Sequence, residues 1–363
     1  MTSEKTSPSS GHDTGGPAQQ DRLGQMRRAL IGMVAPLFFV MAFTLCYVSA
    51  FQSPAPHGVN VAVAGPAPQT ALLRAGLARA VGPAFAVSAV PTAAAAAREV
   101  RDLDLYGAYV PAAPGKPAAT VIISSASGVA VASTVETLFR AVAAKQGARL
   151  AVLDVRPLPA GDREGEALFY FLGACSVSGF LTVAAIGMLA PALRPRDRWL
   201  LFVAAAVAVP VLAYLLAGPG LGAISGSAGA IFALLGVGAL YVLTVEVIAR
   251  SLQIVLGPAA ILAFLAIFVM LDFPSCGGAI SPVLLPTFWH VLNRFWIGAG
   301  GFDAFRSIIY FGGLRVGGDV LKLPAWLGVG VVLFALAVWL KARRRPVRKG
   351  AGPGDRPAAQ QQT

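Results

Sequence analysis

The chain has 363 residues, of which 56% are hydrophobic and only 13% charged, and its mean hydropathy is +0.69. A soluble domain carries about a quarter charged residues, so composition excludes an ordinary soluble protein and points to an integral membrane protein. The formal net charge of +12 does not indicate a nucleic-acid partner, because the charge sits beside apolar runs: from Lys341 onward seven Lys/Arg stand against the single Asp355, the pattern of a cytoplasmic anchor.

Residues 1–28 are expected to be a disordered cytoplasmic N-terminus, since 1–25 are rich in Ser, Gly, Pro, Gln and mixed charge. Arg27 and Arg28 then precede the uncharged run 29–51, long enough to cross about 30 Å of hydrocarbon at about 1.5 Å per residue. A signal peptide is the rival reading, with Val48-Ser49-Ala50 resembling a cleavage site. The run is long for that role and begins far from Met1, so it reads as an uncleaved first span.

Residues 52–165 change character. Strand patterns at 59–64, 84–90, 105–110, 120–124 and 150–155 alternate with helical patterns around 72–80, 92–101 and 131–142. Alternation of this kind predicts a small α/β domain with a largely parallel sheet. About 110 residues is enough for one core.

The apolar pattern returns over 166–271, which is expected to hold the second to fifth spans. Residues 167–193 carry no charge and are followed by Arg194, Arg196 and Arg198. Residues 199–245 are also uncharged, too long for one span, and divide at Gly218-Pro219-Gly220-Leu221-Gly222, with Arg250 closing the later half. A fifth span follows over 251–271, a broken stretch over 272–322, a sixth span over 323–340 and a basic cytoplasmic tail over 341–363. With six spans the Lys/Arg clusters all fall on one side, which is the cytoplasm. The expected fold is therefore an α-helical polytopic protein of the cell membrane, with six transmembrane helices and both termini cytoplasmic. An extracytoplasmic α/β domain lies between helices 1 and 2, and a re-entrant helical hairpin between helices 5 and 6.

Cys46, Cys175 and Cys276 have no metal-type spacing, and no disulfide framework, metal or cofactor is expected. The segment 225–236, Ser225-Gly226-Ser227-Ala228-Gly229-Ala230-Ile231-Phe232-Ala233-Leu234-Leu235-Gly236, is similar to the nucleophile segment of rhomboid intramembrane proteases. Ala228 stands at the serine position, however, and none of His12, His57 and His290 lies in the sixth span. A serine needs a base within hydrogen-bond reach, so the segment reads as a small-residue face for close helix packing and no catalytic residue is assigned. The turn Ser124-Ser125-Ala126-Ser127-Gly128 could cradle an anion; helix capping is the reading preferred. No nucleotide-binding GxxxxGK[ST] loop occurs. Glu246 is expected to pair with Arg250 four residues on, and Glu166 and Asp272 to reach water at outer helix ends.

Residues 272–313 are broken by Pro274, Gly277, Gly278, Pro282, Pro286, Gly298, Gly300 and Gly301. Two short helical patterns remain. In one, Leu284, Leu285, Phe288, Val291, Leu292 and Phe295 form an apolar stripe opposite Thr287, His290 and Arg294; in the other, Phe302, Phe305, Ile308 and Ile309 oppose Asp303, Arg306 and Ser307. Broken helices between spanning ones belong at an interface or around a cavity. The pieces Asp272-Phe273-Pro274-Ser275-Cys276-Gly277-Gly278, Leu284-Leu285-Pro286 and 302–313 resemble the C-terminal half of type-2 ABC exporter permeases of the phage-infection-protein-like (YhgE/Pip) branch. Asp272 stands where that group has Asn.

The resemblance implies a permease subunit exporting a hydrophobic or amphipathic compound by alternating access, with a second protomer and a separate cytoplasmic ATPase as partners. The hairpin would shape the outer exit, and its candidate gate residues are Asp272, Pro274, Gly277, Gly278, Thr287, His290, Arg294, Asp303 and Arg306. At rest the two polar stripes are expected to pair with each other. The rival from another class is a non-transporting receptor or envelope-assembly protein whose α/β domain binds a partner.

Overall fold

The computed structural model describes residues 17–113, 118–314 and 316–343. It is mostly helical, with a small α/β sheet and five helical stretches long and apolar enough to cross a membrane: Arg22–Phe51, Ala167–Leu189, Pro195–Gly220, Ala228–Ser275 and Lys322–Arg343. That pattern marks a membrane-embedded protein.

Helices α1 (Pro17–Gly32) and α2 (Val34–Phe51) follow one another and share the first apolar stretch. Residues 17–28 lie in α1, so the disorder expected over 1–28 does not hold for them. Residues 1–16 and 344–363 lie outside the described residues.

The α/β domain runs β1 (Val59–Ala64), α3 (Ala67–Val81), β2 (Phe85–Val90), α4 (Ala93–Arg101), β3 (Gly107–Val110), β4 (Ala118–Ile123), α5 (Val129–Lys145) and β5 (Arg149–Asp154). The sheet order is β2-β1-β3-β4-β5. Neighbours pair in parallel except β3 and β4. Those two are joined by residues 111–117 alone, too short for the crossover that a parallel pair needs. Side chains alternate between the faces of a strand. Val61, Val63, Tyr109 and Val121 therefore bury against α5 on one face, and Ala62, Ala108 and Ile122 against α4 on the other.

The bundle follows: α6 (Ala167–Leu189), α7 (Pro195–Leu215) with a wider π turn to Gly220, α8 (Ala228–Leu256), α9 (Ala260–Leu265), a second π turn over Ala266–Leu271 and α10 (Asp272–Ser275). The division at 218–222 holds; the closure at Arg250 does not. Helix α8 runs past Arg250 to Leu256 and reverses at Gly257, whose φ of +59° suits glycine and ends helices, with Pro258 next. The reversal is fixed by one pair: Tyr241 and Asp272, 31 residues apart, are hydrogen-bonded at 2.6 Å. A straight helix would hold them about 46 Å apart.

Past α10 come α11 (Thr287–Asn293), α12 (Ile297–Phe311), α13 (Val316–Val320) and α14 (Lys322–Arg343). Ile297, Phe302, Phe305 and Ile308 of α12 share one core with Phe171, Leu172, Tyr241 and Val245, so α12 lies inside the bundle, against α6, α8 and α14. Of its expected apolar stripe Phe302, Phe305 and Ile308 are buried and Ile309 partly so, while Ser307 of the opposite face is buried too. The stripe at α11 is split: Leu284, Leu285 and Leu292 are buried, whereas Phe288, Val291 and Phe295 are exposed. A helix of this length with apolar residues around most of its girth cannot bury them all on one side.

The two parts are joined by backbone and core. Ala55 and His57 donate their N–H groups to the carbonyls of Leu284 (3.0 Å) and Val283 (2.8 Å). Leu284 belongs to the hydrophobic core of the α/β domain, with Ile280 and Val283 packed against it.

Candidate functional site

Asp272 is the deepest of the expected gate residues. It is fully buried, which corrects the expectation that it reaches water at an outer helix end. The return arm, residues 260–275, spans only about 24 Å at about 1.5 Å per residue, so its end stops inside the bundle. Oδ2 accepts the Tyr241 hydroxyl at 2.6 Å, and Oδ1 accepts the Gly298 N–H at 2.7 Å. Gly298 is the second residue of α12. The carboxylate thus meets the end of a helix where N–H groups have no partner of their own and the helix dipole favours negative charge. A Cβ on Gly298 would collide with the Asp272 carboxylate. The sequence signal for this partnership is the early glycine of α12, but nothing in it identifies Asp272 as the group received.

The π turn before Asp272 leaves backbone carbonyls without regular helix partners. Neighbouring helices supply donors: the Tyr47 hydroxyl reaches Val269 O at 3.2 Å, and the Ser176 hydroxyl reaches Phe268 O at 3.3 Å. Pro274 is buried within α10. The chain then turns at Gly277, with φ +85° and an imagined Cβ 2.8 Å from Pro282. Asn293 Nδ2 donates to Ser275 O at 2.7 Å and closes the turn. Asn293 is buried and was not among the expected site residues.

The polar stripes do not pair with each other as expected. His290 Nδ1 meets Pro282 O at 2.8 Å, and its Nε2 meets Arg294 at 3.3 Å. With Nδ1 donating to the carbonyl, Nε2 is left to accept from the guanidinium. Thr287 and Arg294 are exposed. In α12, Arg306 pairs with Asp303 at 3.0 Å, Lys322 approaches Asp303 at 3.8 Å, and Ser307 donates to Leu314 O. Arg306 also donates to Ser127 O of the α/β domain at 3.1 Å. Nearby, the Tyr310 hydroxyl donates to Asp162 at 2.9 Å, and Asp162 accepts the N–H groups of Glu166 and Ala167 at the start of α6. Like-facing residues one turn apart satisfy one another readily, which is why His290 meets Arg294 and Asp303 meets Arg306.

Two spaces meet here. A chamber of about 320 Å³ lies between the α/β domain and the broken segment, with Gly277, Gly278, Ser281 and Arg306 on one side and Ser125 and Gly128 on the other. An apolar crevice of about 500 Å³ between α6 and α7 is lined by Phe171, Ala174, Ala213, Leu216 and Ala217. Glu164 and Glu166 line both. Of the expected gate residues, Gly277, Gly278 and Arg306 meet in the chamber. Asp303 lines a neighbouring space with Arg306, Ser127 and Tyr106. Asp272 and Pro274 lie outside it, and Thr287, His290 and Arg294 do not line it.

Three further expectations are corrected. The serines of 124–127 do not cap α5: it starts from Gly128 without a side-chain cap, Ser127 Oγ turns back to Ser124 O at 2.7 Å, and the Ser125 N–H is held by Asp154 at 3.2 Å. The aspartate at the end of β5 thus takes the turn for itself. Glu246 does not pair with Arg250; both its carboxylate oxygens are buried without a hydrogen-bond partner, and Arg250 donates to Gln253 at 2.7 Å. The small-residue segment 225–236 is not a close-packing face, since Gly229 and Gly236 have open space beside them. The tight approach comes at Gly238, where an added Cβ would stand 2.9 Å from Pro210. Ser227, in the rhomboid-like segment, caps α8 by accepting the Ala230 N–H at 3.2 Å.

No family model, curated protein or solved structure matches this chain.

Proposed function

We propose that the chain is the membrane permease subunit of an ABC-type exporter for a hydrophobic or amphipathic compound. One observation carries this reading: the chamber beneath the α/β domain, whose wall mixes Ser125, Glu164, Glu166 and Arg306 with apolar residues, shares Glu164 and Glu166 with an apolar crevice between α6 and α7. A compound partitioned into the bilayer can enter such a crevice by its apolar part and leave through the chamber by its polar part. The resemblance of 272–313 to the exporter permeases points the same way.

In this reading α8 crosses the bilayer, the chain reverses at Gly257, and the return arm together with the broken stretch beyond Ser275 completes the next crossing. Six crossings then place both termini, the 190–198 loop and the Gly257 turn in the cytoplasm, by the positive-inside rule. The segment 272–313 is re-entrant and closes the outer exit. A second protomer completes the path, and a separate ATPase docks on the cytoplasmic loops. Alternating access swings the α/β domain and α12 apart at the Arg306–Ser127 contact.

The test is accumulation of a fluorescent amphipathic dye in cells expressing the chain. Gly277→Val with Gly278→Val should abolish dye efflux while membrane insertion stays normal. Unchanged efflux overturns the gate. If the wild-type chain moves no dye in any coupled system, and deleting 52–165 removes only partner binding, the receptor reading replaces it.

A further inference from the structure

At the end of the bundle remote from the α/β domain, a cavity of about 700 Å³ is bounded by α6, α7, α8, α9 and α14. Its polar lining is cationic, with Arg198, Arg250 and Lys341 around Gln253. Among the described residues no Asp or Glu lines it. The rest of the wall is apolar and includes Met188, Ile261 and Phe264.

The two guanidinium groups are held by neutral partners. Gln253 donates to Val183 O at 3.0 Å and accepts from Arg250 at 2.7 Å, so it bolts Arg250 to α6. Gly187 makes room, since a side chain there would collide with Gln253. Arg198 donates to Ala190 O at 3.3 Å and Pro191 O at 3.2 Å, and its Nε is shielded from solvent without a hydrogen-bond partner. Glu246, one turn from Arg250, makes no hydrogen bond to it and does not line the cavity. Several cations fixed around one cavity repel one another, and an anion among them turns that repulsion into attraction. A guanidinium suits phosphate and carboxylate oxygens because its donors form a planar fork. A small free anion would leave the apolar wall unused.

We propose that this cavity binds a net-anionic amphiphile. Its phosphate or carboxylate head sits between Arg198 and Arg250, with Lys341 at the rim, and its hydrocarbon lies against Met188, Ile261 and Phe264. The site is distinct from the chamber beneath the α/β domain and does not depend on the export reading.

The full chain in neutral detergent micelles tests it, by native mass spectrometry and thermal unfolding. The probes are phosphatidylglycerol, phosphatidylcholine and inorganic phosphate. Phosphatidylglycerol should bind and raise the melting temperature, phosphatidylcholine and inorganic phosphate much less. Arg198→Gln with Arg250→Gln should weaken phosphatidylglycerol binding by about tenfold or more, whereas Arg27→Gln with Arg28→Gln, outside the cavity, should not. Because the arginine variant removes packing as well as charge, Ile261→Trp provides a second arm: it keeps every cation, fills the apolar part and should also lose the lipid. Equal binding of the two lipids, equal protection by inorganic phosphate, or undiminished phosphatidylglycerol binding in either cavity variant overturns the proposal.

Discussion

Tyr241 and Asp272 are separated by 31 residues and joined by a 2.6 Å hydrogen bond at the buried centre of the helical bundle. The same carboxylate receives the N–H of Gly298, so one side chain links α8, the return arm and α12. A buried carboxylate that loses a donor keeps its desolvation cost without compensation. Tyr241→Phe should therefore destabilise the protein by about 1.5–3 kcal/mol, read as a lower melting temperature in detergent. Asp272→Asn, which still offers an oxygen to Gly298, should fall less than Asp272→Leu. Equal melting temperatures for wild type and Tyr241→Phe would remove the pair from any structural role.

Glycines on α8 and α12 should respond in opposite directions. Gly298→Ala forces a methyl into the Asp272 carboxylate and should cost about 1–3 kcal/mol. Gly236→Ala meets nothing within 4 Å and should be neutral or stabilising by up to about 1 kcal/mol through helix propensity. Thermal unfolding of the two variants side by side decides it, and a stable Gly298→Ala protein contradicts the close approach.

Glu246 offers the reverse experiment. Its carboxylate is buried with no hydrogen-bond partner, and polar groups in that state are costly. Glu246→Leu should raise stability by about 1 kcal/mol or more, measured as a higher melting temperature. A clear fall would mean that the carboxylate is satisfied by something bound to the working protein.

Much of the α/β domain was legible in the sequence because its strands and helices announce themselves by local period and punctuation. The strand 59–64 has the predicted bounds, and Phe302, Phe305 and Ile308 of the expected α12 stripe are buried. What was not legible depends on distant partners. Arg250 looked like the end of a span because charge is rare in apolar helices; Gln253, held by Val183 of another helix, accommodates it within the helix instead. Asp272 looked like a helix-end carboxylate because the short return arm and the amino end of α12 meet only in three dimensions. Asn293 and Asp162, both joining segments, carry no local pattern that marks them.

Arg306 fastens α12 to the α/β domain through Ser127 O. Arg306→Ala should loosen that docking without unfolding either part, because the strand-side bonds of Ala55 and His57 remain. Hydrogen exchange of the amides over 125–133 should become faster, with the protection of β1 unchanged. Identical exchange in both proteins would leave the contact without mechanical weight.

The export account requires α12 and the α/β domain to part at this contact. Ser127→Cys with Arg306→Cys, bridged by a short reducible bis-thiol reagent, locks them together in otherwise intact protein. Dye efflux by the double variant, relative to wild type given the same reagent, should stop on bridging and return on reduction. Efflux that continues at full rate with the bridge in place would contradict the account.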